Sequence, residues 1–103
     1  MKLKLLYCRH MVNKKLKVAR NKIDKIDQSI FNLIVKRTNV VKYMLTLKRH
    51  KKEIVDRNRM NIILKKIKKK SIKNNIDTKI TKKIWTSMIS SYIDFQKRNF
   101  KIK

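Results

Sequence analysis

LKVARNKIDKIDQSIFNLIVKRTNVVKYMLTLK, residues 16–48, carries a single apolar stripe along its whole length. Leu16, Ala19, Ile23, Ile26, Ile30, Leu33, Val40, Met44 and Leu47 recur on alternating steps of three and four, the spacing of one face of an α-helix. Only Arg37 interrupts the stripe. A guanidinium on a core-facing stripe is costly unless something negative meets it, so the interruption asks for a buried anionic partner. The chain has only 6 Asp and Glu to offer one, which directs attention to a ligand.

Helix geometry then relates two other cations to Arg37. Lys48 comes eleven residues later, about 20° around a continuous helix and roughly 16 Å along it, on the face that carries Arg37. Arg20 precedes Arg37 by seventeen residues, which turns it about 100° away and roughly 25 Å down the axis. That is too far to share one small ligand with the other two on a straight helix. If all three bind an anion, Arg20 serves a second copy of the site.

A helix over residues 14–51, with Asn13 as its N-cap, would be roughly 55 Å long. A compact globule of 103 residues has a radius of gyration of about 13 Å. The stripe therefore predicts a homodimer, in which the protruding apolar length is covered by a partner helix. Residues 1–13 are set apart as a basic extension, either frayed or packing Leu5, Leu6 and Tyr7 on the body, and Met11 offers an alternative start. Residues 14–103 form the helical domain.

The net charge of +25, from 31 Lys and Arg, raises the possibility of a basic helical dimer that binds nucleic acid. Codon usage in an AT-rich genome would give the same excess of Lys, Ile and Asn and the same absence of Gly and Pro. Aromatic residues are few and scattered, so no platform for stacking bases is visible and nucleic acid is not the expected partner. The single cysteine, Cys8, rules out an internal disulfide and fits a reducing, cytoplasmic compartment. His10 and His50 have no Cys or carboxylate at ligand spacing, so neither a metal nor another cofactor is expected. No apolar run reaches the length of a membrane span.

Beyond the long helix, RHKKEIV at residues 49–55 reads as a solvated helix end and turn. Asp56 is positioned to cap a second helix, whose apolar face is Met60, Ile63, Leu64 and Ile67. Arg57 and Arg59 fall in its first turn, where a cation opposes the helix dipole unless it holds an anion. Arg57 reads as a solvated arginine. The run KKIKKK ends this helix, SIKNN is the turn, and Asp77 caps a third. Ile80, Ile84, Trp85, Met88, Ile89, Tyr92 and Phe95 supply its core face, with Gln96 at the margin. No period-two pattern survives anywhere, so the fold class is all-α, with helices of about 38, 16 and 23 residues.

Several kinds of catalytic apparatus are not read in the sequence: a Ser/His or Cys/His pair on a common element, a Gly-rich phosphate loop, a metal-ligand cluster and an acid pair positioned for glycoside chemistry. What remains is a set of cations and one amide on apolar helical faces. Such a pocket could bind a small dianion and do chemistry by shape and electrostatics alone. Here the residues carry a resemblance. RNKIDKID at residues 20–27, then Arg37, Lys48, DRNR at residues 56–59 and Gln96 resemble, in order and spacing, the all-helical chorismate mutase family over roughly residues 16–98.

The resemblance implies three helices per protomer, one very long, in an intertwined homodimer with two equivalent sites. It further implies that Arg37 pairs with one substrate carboxylate and Arg20 of the other protomer with the second. Lys48 and Gln96 would donate to the breaking ether oxygen, and Asp56 and Arg59 would arrange the ring side of the pocket. The reaction implied is the pericyclic rearrangement of chorismate to prephenate, which transfers no proton. Two positions depart from the family: Met60 stands where a glutamate usually meets the substrate hydroxyl, and Tyr92 where a serine is common. Both are similar to the isochorismate-pyruvate lyases, relatives on the same fold that form salicylate. Asp56 is the mutase-like choice, and mutase is the expectation, with lyase as the alternative.

Overall fold

The computed structural model describes residues 2–102, with side chains from residue 4 onward. Three α-helices and one short 3₁₀ turn make up the described chain: α1 (Lys2–Leu47), the 3₁₀ turn (Lys51–Ile54), α2 (Arg57–Lys73) and α3 (Thr78–Asn99). No strand occurs among the described residues, so the fold is all-α. The chain divides into two units, Met1–Arg37 and Thr38–Lys103.

The first unit is the N-terminal part of α1. Asn13 does not cap this helix, because helical backbone continues back to Lys2 and α1 has 46 residues. The sequence from Lys2 to Asn13 contains no Gly or Pro to stop propagation, and each added residue closes another backbone hydrogen bond. Leu5, Leu6 and Tyr7 are 64%, 60% and 64% exposed. Further along, Ile23, Ile26, Ile30 and Leu33 are also exposed. The stripe is present and, within one chain, uncovered.

In the second unit, α2 and α3 form a hairpin whose turn depends on one asparagine. Asn75 has φ of 56°, in the left-handed region. Its N–H donates to Ile72 O at 3.2 Å, while Ile76 N–H donates to Ser71 O at 2.9 Å. These two bonds close a Schellman C-cap, which ordinarily uses glycine at that position. In a chain without glycine, asparagine is the side chain that takes the left-handed conformation most readily. The turn accordingly starts later than SIKNN suggests, and Ser71 to Lys73 remain helical.

Asp77 caps α3 by accepting from Lys79 N at 2.8 Å. Ser71 is 2% exposed. Its hydroxyl donates to Ile67 O at 2.7 Å and also lies 2.7 Å from Thr81 Oγ1, a polar tie from α2 to α3. Met60, Ile63, Leu64 and Ile67 of α2 are half-buried, as are Trp85 and Met88 of α3, and Ile89 is fully buried. Ile80 and Ile84, expected in the core, remain 55% and 50% exposed. Residues 49–55 are also more than a solvated turn, because the 3₁₀ turn buries Ile54 to 4% exposure and packs on α3.

Candidate active site

Lys48 is the first residue past the end of α1 and does not belong to its regular spiral. Its N–H donates to Leu45 O at 3.3 Å, the tighter i to i−3 bond that closes a helix end. The face-sharing argument for Lys48 and Arg37 assumed a continuous helix and does not extend to this residue. What directs the Lys48 side chain is a tertiary partner. Its Nζ donates to Gln96 Oε1 at 2.6 Å, joining residues 48 positions apart in sequence.

Gln96, expected at the margin of the α3 core face, is 7% exposed. Its amide orientation is fixed from both ends: Nε2 donates to Tyr92 O, one turn earlier, at 3.2 Å, which leaves Oε1 to accept from Lys48. The buried amide therefore has a partner for each heavy atom, so its burial carries no unsatisfied group. One amide hydrogen and two ammonium hydrogens remain beyond these bonds.

Tyr92 makes a second cross-link. Its hydroxyl lies 2.6 Å from Thr38 Oγ1, both residues being half-buried. Thr38 is absent from the sequence-derived set. The only hint at it was that the apolar stripe also turns polar around Arg37, over KRTN at residues 36–39.

Asp56, Arg59 and Met60 meet at the start of α2. Asp56 Oδ1 accepts from Arg59 N at 3.0 Å, and Met60 N–H donates to Asp56 O at 3.0 Å. This capped turn positions Asp56 and Arg59, both exposed, and half-buried Met60. Asp56 also borders a hollow of about 450 Å³ with Glu53, Val55, Arg57 and Asn58. In the other unit Arg37 is half-buried and Arg20 is exposed. Another groove, of about 390 Å³, lies between α2 and α3 among Asn61, Leu64, Ile67 and Thr81, on residues outside the candidate set. Among the described residues no group of three His, Cys, Asp or Glu is arranged to hold a metal. Nor is any described helix long and apolar enough to cross a membrane.

The chain is all-α, and a lysine just past the end of its first helix meets a buried glutamine of its third. The chain matches the family model described as chorismate mutase type II over residues 19–97, and it belongs to that family. The match begins just before Arg20 and ends just after Gln96. No curated protein and no solved structure matches the chain. Membership establishes a chorismate-mutase-type domain with a small-molecule substrate.

Proposed function

We propose that this protein is a chorismate mutase that rearranges chorismate to prephenate, acting as a homodimer in the cytoplasm. The observation that carries the reading is the contact between Lys48 and the buried Gln96, with donors to spare on both sides. In the rearrangement the ether C–O bond breaks as a C–C bond forms, and negative charge grows on the departing oxygen. Lys48 Nζ and Gln96 Nε2 donate to that oxygen. A charge-assisted hydrogen bond that strengthens by about 3 kcal/mol at the transition state accelerates the reaction roughly a hundredfold. The remaining gain comes from holding the flexible ether in its chair-like reactive conformer, an entropic contribution.

Arg37 pairs with one substrate carboxylate, and Arg20 of a second copy pairs with the other. Asp56 and Arg59 order the ring side, where Met60 and Tyr92 form part of the wall. Support for the dimer comes from the exposed stripe on α1: Ile23, Ile26, Ile30 and Leu33 present an apolar face, and a helix of this kind gains most of its stability from covering that face. Residues 14–103 make up the mutase-like domain and residues 1–13 a basic extension of its first helix.

Met60 supports a second reading. A thioether is at most a weak acceptor for a ring hydroxyl, and this favours isochorismate-pyruvate lyase activity over mutase activity. One experiment tests both: the purified protein is mixed with chorismate and its disappearance followed, then with isochorismate while salicylate fluorescence is recorded. Turnover of chorismate is the expected result. Salicylate formation alone would establish the lyase instead, and turnover of neither would remove the enzymatic reading.

A further inference from the structure

We propose that Thr38 is a positioning residue for this site, acting through the hydroxyl of Tyr92; the inference rests on the pericyclic reading above. Thr38 immediately follows Arg37 on α1, and its Oγ1 lies 2.6 Å from Tyr92 Oη. The bond spans 54 positions in sequence and ties α1 to α3. One turn further along α3, Gln96 Nε2 bonds the main-chain oxygen of Tyr92 and Gln96 Oε1 receives Lys48. The segment from residue 38 to 48 is thus joined to a single turn of α3 at both of its ends.

Each tie restrains something the other cannot. Lys48 is a flexible four-carbon stem beyond the end of a helix, so its contact with Gln96 cannot by itself fix how residues 38–47 lie beside α3. Thr38 sits within α1 and has few rotamers, and Tyr92 is a rigid ring. A hydroxyl pair at the tip of that ring pins the tyrosine at both ends and sets the placement of the turn that carries Gln96. Thr38 does not touch the reacting atoms. Its effect is on how well Lys48 and Gln96 meet the departing oxygen, which is a demand of the transition state more than of substrate binding.

The test uses the full chain with whichever of the two substrates it turns over. Thr38→Val keeps the shape of the side chain and removes the hydroxyl. It should lower kcat about tenfold with KM changed by less than about threefold. Tyr92→Phe should also lower kcat, and adding Thr38→Val to it should cost nothing further, because the bond between the two hydroxyls is already gone. Thr38→Ser, which keeps the hydroxyl, should recover most of the activity. A change in folding alone would lower the active fraction and leave kcat per active site unchanged. Wild-type kcat in Thr38→Val, or additive losses in the double variant, would overturn the proposal and leave the enzymatic reading intact. Should Thr38→Val fail to fold, unaltered kcat in Tyr92→Phe overturns it equally. A wild-type protein that turns over neither substrate overturns the enzymatic reading, and the role of Thr38 with it.

Discussion

At the residue scale the proposed chemistry rests on Lys48 and Gln96, which touch each other in the folded chain. Lys48→Ala is expected to reduce turnover at least about a hundredfold, because the term lost is a charge-assisted hydrogen bond that strengthens as charge develops. Circular dichroism should show the helices intact. Wild-type kinetics in that variant would contradict the role. Gln96 could be picked out from its place one turn after Tyr92 on the edge of an apolar face. Its depth could not, since how far a marginal amide is buried depends on what packs over it. Thr38 was illegible for a similar reason: a threonine in a helix advertises nothing until a hydroxyl from another element arrives at 2.6 Å. Ser71 is the structural counterpart, read as part of a turn and found 2% exposed. Ser71→Val would remove the hydroxyl tie between the two helices while Thr81 Oγ1 keeps its bond to Thr78 O, and a loss of about 1 kcal/mol in denaturant unfolding is expected.

At the scale of elements, the caps were the most legible features. Asp56 and Asp77 stand just before α2 and α3, and each accepts from a backbone N–H of the first turn. Asp77→Ala should therefore cost about 1 kcal/mol in unfolding free energy, through a local interaction that needs no tertiary partner. The other end of α2 is governed by Asn75, whose φ of 56° excludes bulky branched side chains. Asn75→Val should destabilise by about 1–2 kcal/mol, whereas Asn75→Gly should be neutral or stabilising, both measured by urea unfolding. A reversed order would mean that the turn is not left-handed in solution. The start of α1 was misjudged because Asn13 is a good capping residue in an otherwise helix-compatible run, and a capping residue does not end a helix when nothing upstream breaks it. Its C-terminal end, at Leu47, had no glycine or proline to mark it.

For the whole molecule, the question is what covers α1. Leu16, Ile23, Ile26, Ile30, Leu33, Val40, Met44 and Leu47 of its stripe are all exposed within the chain, and the proposed answer is a second copy. Sedimentation at micromolar concentration is expected to give a dimer, with an unfolding midpoint that rises with protein concentration. The shared pocket makes a sharper prediction. Arg20→Ala and Lys48→Ala, each inactive alone, should regain part of the activity when their subunits exchange, because one hybrid pocket then contains both native groups. Inactive mixtures, once exchange has been demonstrated by differently tagged subunits, would rule out the shared pocket. The charge of +25 belongs to this scale as well. Binding to nucleic acid that falls steeply with salt would favour the alternative of a basic helical binder, and the expected result is weak binding with no sequence preference.

By itself the sequence determined the helical class, the long first helix, the two aspartate caps and the resemblance to the chorismate mutase family. All of these follow from side-chain periodicity and local backbone hydrogen bonding, which neighbours in the chain settle among themselves. Only the tertiary structure decided that Lys48 leaves the helix to meet Gln96, that Thr38 reaches Tyr92, and that Ser71 is sealed between α2 and α3. Those contacts join positions far apart along the chain or across a turn. Their partners are chosen by the packing of one helix on another, and no local pattern encodes that choice.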